Sequence, residues 1–278
     1  MNDRRRLALH MKYVSALLAL GAISGCSQPT RPELRMPRSI VDLSPTITSD
    51  MPTRSLGRAV GESIADQFGI SPTTAFQVRV EEEPFYPFYR SMSAYTIFNH
   101  VGPHLDPPNH MIRGGTAVDA VPLDRFFGRA RLLDFRSKPP GDPLLRSDFE
   151  GAGIEPGEIV IAFVDYEAPT DAEALPVYTY LSEEAAEYLA ELPVKLFATD
   201  MPSLGSISRY LVLIEEGKTG SENIFPEHYA FASRDVPSIE GLVNLESLVG
   251  EEEIVFVGFP LKFENGDGGP MRAAALVY

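Results

Sequence analysis

Ser182–Asp200, "SEEAAEYLAELPVKLFATD", carries two structural signals back to back. Ser182 is a helix-capping residue, and Glu183 and Glu184 place negative charge in the first turn, where the helix dipole favours it. Ala185, Tyr188, Leu189 and Leu192 then recur at the spacing of one helix face. "VKLFATD" (Val194–Asp200) follows at once with the short apolar character of a strand. A helix feeding directly into a strand is an α-to-β step onto a sheet, and it sets the class as α/β.

Working outward, the strand signal dominates. "SIVDL" (39–43), "FQVRV" (76–80), "SAYTIF" (93–98), "ARLLDF" (130–135), "EIVIAFV" (158–164), "EIVFVGF" (253–259) and "AAALV" (273–277) are short apolar or β-branched runs bounded by turn-forming residues. From Ser39 onward there is no linker and no internal repeat. The expectation is therefore one mixed, sheet-rich α/β domain over residues 39–278.

Bulk composition agrees. The chain has 278 residues, 44% hydrophobic and 23% charged, ample to bury a core. A formal net charge of −15 lacks the basic footprint of a nucleic-acid surface. Otherwise that charge speaks mainly to solubility.

The N-terminus reads as a targeting segment. Arg4, Arg5 and Arg6 precede the apolar run "VSALLALGAI" (14–23), which is too short to span a bilayer and suits a signal-peptide core. "ISGCSQPT" then carries the only cysteine, Cys26, after small residues, and this resembles the lipobox of bacterial lipoproteins. The expected layout is a signal peptide over 1–25 and a lipidated Cys26 with a polar tether over 26–38. It implies an exported lipoprotein on the periplasmic side, sorted to the outer membrane and held there by its lipid alone. Removal of residues 1–25 takes four basic residues and Asp3, moving the net charge from −15 to −18.

Chemistry concentrates in "NHVGPHLDPPNH" (Asn99–His110), which holds three of the five histidines. His100 and His104 are four apart, and Asp106 is two further on. Gly102, Pro103, Pro107 and Pro108 exclude a helix, so the segment is expected as a loop held at the end of the strand "SAYTIF". Two imidazoles and a carboxylate suit zinc, manganese or iron better than calcium or copper(I). His110 is placed just outside such a shell as an acid/base group, because histidine titrates near neutrality.

These residues resemble the signature H-x-G-[TA]-H-x-D-x-P-x-H of the cyclase family that includes bacterial kynurenine formamidase and isatin hydrolase. "IVDLSPTI", "GGTAVDAVPLDRFFGRARLLDF", "LSEEAAEYLAELPVKLFATDMPSL" and "GFPLKFENGDGGPMRAAAL" are similar to its other segments, so the likeness runs from about Ile40 to Val277. The resemblance implies the swivelling β/β/α fold and a homodimer or higher homo-oligomer. It also implies two further ligands twelve residues apart, His228 and Glu240 in "HYAFASRDVPSIEGL". One ion would then be held by His100, His104 and Asp106, and a second by Asp106, His228 and Glu240. Glu240 could reach both, since a carboxylate has two oxygens to bridge with.

The implied activity is hydrolysis of a linear or cyclic amide, of the arylformamide or lactam type, in a small aromatic molecule. Zn2+ is the first choice of ion and Mn2+ the alternative, as one or two ions. A metal-activated water is the nucleophile, and His110 carries the proton to the leaving nitrogen. A lactone- or isatin-like ring hydrolase using manganese is the enzymatic alternative. A metal- or ligand-binding lipoprotein without turnover is the other. The chain departs from the family in having Pro103 where threonine or alanine is usual, Met201 where threonine is usual, and no tryptophan. Phe85, Tyr86, Phe88 and Tyr89 of "PFYPFYR" are the candidates for a replacement aromatic wall.

Overall fold

The central strands are buried on both faces, and this is why their sequences read as continuous apolar runs. In the computed structural model, which describes residues 35–48, 76–85, 88–169 and 174–278, Ile159 and Ile161 join one hydrophobic cluster. Val160 and Ala162, the alternate residues of the same strand, join a second cluster on the opposite face. The signal peptide, Cys26 and Tyr86 lie outside the described residues. Pro37–Tyr278 forms one compact unit.

In chain order the strands are β1 (Ser39–Asp42), β2 (Phe76–Phe85), β3 (Phe88–Ile97), β4 (His104–Asp106), β5 (Phe127–Asp134), β6 (Pro143–Leu144), β7 (Ile159–Phe163), β8 (Tyr180–Leu181), β9 (Leu196–Thr199), β10 (Ser238–Glu240), β11 (Ile254–Val257), β12 (Gly269–Pro270) and β13 (Ala274–Val277). Among the described residues, nine of them form one sheet in the order β1-β13-β11-β5-β7-β9-β10-β4-β12. The middle pairs, β5 to β7, β7 to β9 and β9 to β10, are parallel, and the flanking pairs are antiparallel. The expected α/β, sheet-rich swivelling β/β/α architecture is therefore present as a curled mixed sheet with helices on one face. β2 and β3 pair as a hairpin in which Phe85 partners Phe88 and Pro84 partners Tyr89.

The helices are α1 (Arg146–Phe149), α2 (Glu183–Glu191), α3 (Ile207–Glu215), α4 (Ser221–Ile224) and α5 (Pro226–Ser233). Helix α2 obeys its sequence: Ser182 accepts a hydrogen bond from the Ala185 amide at 3.2 Å. Ala185, Ala186, Leu189 and Ala190 are buried against the sheet. Fully burying one such leucine is worth about 1.5–3 kcal/mol. Helix α5 packs over β9 by stacking Phe231 on Phe197, with ring centroids 5.3 Å apart. No described helix is long and apolar enough to cross a membrane.

One expectation is corrected. The histidine segment is not simply a loop, because its centre is the buried strand β4 and its end is a 3-10 turn, Pro108–His110. Pro103 and Pro107 bracket a strand of only three residues, which lies between β10 and β12 and inside the sheet. That is too short for alternation to show in the sequence.

Candidate metal centre

Strand alternation builds the floor of the site. His104 and Asp106 are two apart on β4 and share a face, while Leu105 between them enters the opposite cluster. Antiparallel pairing sets Glu240 across from His104, and Ser238 across from Asp106. Ile239 follows Leu105 into the apolar cluster, so both carboxylates and His104 look toward the helical layer. Helix α5 brings down His228 in its first turn, beside Pro226, which the first turn of a helix tolerates. His100 comes from the turn after β3, and His110 ends the 3-10 turn.

The five expected ligands and His110 come together. Asp106 divides its oxygens: Oδ1 is 2.8 Å from His100 Nδ1 and 3.4 Å from His104 Nε2, while Oδ2 is 3.9 Å from His228 Nε2. Glu240 does the same, with Oε1 3.0 Å from His228 Nε2 and Oε2 3.7 Å from His104 Nε2. The Leu204 amide also donates to Glu240 Oε1 at 2.9 Å and fixes that carboxylate. The His110 ring lies 4.3 Å from His100 and 6.2 Å from His228. Donor atoms of His100, Asp106 and His110 fall within 4.8 Å of one another, as do those of His104, Asp106 and Glu240. A small cavity beside these groups is bounded by Asp106, His110, Met111, His228, Phe231 and Val236.

Two residues near the centre escaped sequence reasoning. Asp267, between β11 and β12, has Oδ2 3.4 Å from His100 Nε2 and 3.8 Å from His110 Nδ1, and Asn99 donates to its other oxygen. Its only signal was the pair of glycines around it. Gly268 is needed for close approach, because a Cβ there would stand 2.7 Å from the His100 ring. Tyr210 on α3 is the other, with its hydroxyl 3.4 Å from His228 Nδ1.

The electrostatics call for a cation. Burial disfavours charge on His100, yet its hydrogen bonds to Asp106 and Asp267 outweigh that and push its pKa up to about 10. His228 moves the same way: burial opposes its charge, and the Glu240 hydrogen bond prevails. The carboxyl of Asp106 is held well below its usual range by His104, His110 and His100 despite burial, and that of Asp267 by hydrogen bonds from His100 and His110.

The donor set fits a divalent ion. Three histidines each turn one ring nitrogen to an acceptor and leave the other facing carboxylate oxygens. His104 Nδ1 meets the Gly102 carbonyl at 3.0 Å, His100 Nε2 meets Asp267, and His228 Nδ1 meets Tyr210. This outer support is what orients imidazole ligands toward a metal. Gly102 takes a positive φ of 60°, which aims its carbonyl at His104 with little strain. Mixed imidazole and carboxylate donors suit zinc, manganese or iron.

Known proteins share parts of this sequence and its fold. The family model described as "Putative cyclase" matches residues 41–206. The chain is 28% identical over 184 residues to a kynurenine formamidase of Salinibacter ruber, covering 66% of this chain and 78% of that protein. It superposes on isatin hydrolase A from Labrenzia aggregata bound to benzyl benzoate with a TM-score of 0.65 at 22% identity, over 86% of this chain and 93% of that one. A predicted metal-dependent hydrolase from Bacillus stearothermophilus superposes at 0.60 with 22% identity, over 85% and 97%. These two likenesses show a shared fold.

Proposed function

The chain belongs to the cyclase family, and from that membership we propose that it is a metal-dependent hydrolase of a carbon–nitrogen bond in a small, non-peptide amide. The observation that carries the reading is the division of oxygens at Asp106 and Glu240: the two oxygens of each carboxylate face different imidazoles, three in all at Asp106 and two at Glu240. Two carboxylates shared in this way suit a pair of ions, with His100, His104 and Asp106 around one and Asp106, His228 and Glu240 around the other. A divalent ion bound there supplies Lewis acidity and a water pKa lowered from about 15.7 toward about 7. The formamidase likeness at 28% identity supports an arylformamide substrate, and a lactam is the cyclic form of the same bond.

The chain's own groups supply the rest. His110 sits against Asp267 at 3.8 Å and beside the cavity, where it takes and returns the proton that the leaving nitrogen requires. The buried carboxylates Asp106 and Glu240 hold the ligand nitrogens in register. The lipobox-like segment adds an anchor to the proposal: Cys26 would carry the lipid, and Cys26→Ser should shift the exported chain out of the membrane fraction. Retention of that variant in membranes would remove the anchor.

The activity is tested by a hydrolysis screen of aryl formamides, lactams and lactones with the purified chain loaded with Zn2+ or with Mn2+. Turnover of a formamide or lactam that a chelator abolishes is the expected result. Metal-loaded protein that turns over only lactones would overturn the amide assignment, and protein that binds neither ion would overturn the metal reading.

A further inference from the structure

Behind His228, on the side away from the carboxylates, lies a polar pair that the proposed reaction does not use. Tyr210 on α3 and Glu227 on α5 are both wholly buried, at 0% exposure. The tyrosine hydroxyl donates to Glu227 Oε2 at 2.8 Å and stands 3.4 Å from His228 Nδ1. Arg209 donates to the other oxygen, Oε1, at 3.3 Å; burial pushes the Glu227 carboxyl's pKa up, and the tyrosine hydrogen bond and the guanidinium charge work against that rise.

We propose that Glu227 and Tyr210 are positioning residues that fix the tautomer of His228, so that Nε2 is offered to the cation between Glu240 and Asp106. This rests on the metal reading above. A hydroxyl has one hydrogen, and at 2.8 Å that hydrogen is committed to Glu227. The tyrosine oxygen can then only accept from the imidazole. With a cation on Nε2, His228 carries its hydrogen on Nδ1 and gives it to that oxygen; in the metal-free chain Nε2 meets Glu240 Oε1 at 3.0 Å. Such support behind a ligand histidine is worth about 10–100-fold in metal affinity.

The backbone has been shaped around the pair. A Cβ at Gly205 would fall 2.1 Å from the Tyr210 hydroxyl and 2.4 Å from Glu227 Oε2, so no larger residue fits without displacing them. The preceding residue of the same loop, Leu204, gives its amide to Glu240. One turn of chain therefore leaves room for the support behind His228 and also holds the carboxylate in front of it.

The test is Tyr210→Phe in the full chain, which removes the oxygen and keeps the ring that packs edge-on against Phe225. Zn2+ affinity is measured by competition with a chelator, and the His228 tautomer is read by nitrogen-15 NMR of the imidazole in Zn2+-loaded protein. The expected result is Zn2+ binding about 10–100-fold weaker in a chain that still folds, its metal-free melting temperature lowered by the lost hydrogen bond to Glu227. Wild-type His228 should hold its hydrogen on Nδ1, and the variant should lose that preference. Glu227→Gln should weaken Zn2+ binding in the same direction, and it carries the test with the wild-type tautomer should Tyr210→Phe fail to fold. Unchanged affinity in a folded variant, or a wild-type hydrogen on Nε2, overturns the proposal. A wild-type chain that binds no Zn2+ or Mn2+ overturns the metal reading instead.

Discussion

At the scale of single residues, His110 separates ligand from acid/base group. Its ring is 4.3 Å from His100, its Nδ1 is 3.8 Å from Asp267 Oδ2, and it borders the cavity. If its task is proton transfer, His110→Ala should keep near-normal metal content and lose roughly 10²–10⁴-fold in kcat on a proven substrate. Elemental analysis beside steady-state rates decides it: loss of metal would make His110 a ligand, and an unchanged kcat would end the acid/base role. Much of this residue-level picture was legible. The spacing of His100, His104 and Asp106 pointed to a metal without any structure, because two imidazoles and a carboxylate crowded among prolines have few other uses. His228 and Glu240 were legible only through the resemblance, since a lone histidine and a lone glutamate carry no spacing signal. Tyr210 was not legible at all and Asp267 only through its flanking glycines, because what they do depends on packing between segments far apart in the chain.

At the scale of elements, legibility followed length and periodicity. Helix α2 announced itself by its cap, its acidic first turn and its apolar stripe. Removing the cap in Ser182→Ala should cost about 1 kcal/mol and lower the melting temperature by roughly 2–4 °C, with metal content unchanged. An equal melting temperature in scanning calorimetry would mean that the Ala185 amide finds another acceptor at no cost. Helix α5 gave no such notice, although it carries His228. Pro226, Glu227, His228, Ala230, Phe231 and Ala232 are all buried, so there is no polar face to set off an apolar one. Strands β4, β10 and β12 span three, three and two residues, below any window in which alternation can be read. The elements that build the site are the ones that sequence periodicity cannot see. They are held in place by neighbours and not by propensity.

At the scale of the whole molecule, the candidate ligands join the turn after β3, strand β4, helix α5 and strand β10, across more than 130 residues of chain. An ion bound only by the folded state stabilises it by mass action, about 2.7 kcal/mol at one hundred times Kd. A chelator should therefore lower the melting temperature, and the size of that loss should depend on pH in a definite sense. His100 is raised from 6.5 to about 10, so in metal-free protein its contribution is fully present below pH 6.5 and fades as the pH climbs through about 10. His228 is shifted in the same direction. An ion must displace the proton from each of these imidazoles, so its affinity rises over the same window in which the metal-free protein weakens. The gap between loaded and chelated melting temperatures should widen steadily from about pH 6.5 to about pH 9.5. Taking the difference at each pH cancels every titrating group that does not meet the site. A gap that stays constant would mean that the imidazole protons are not what the ion replaces. No gap at any pH, with no metal found on elemental analysis, would remove the metal centre itself.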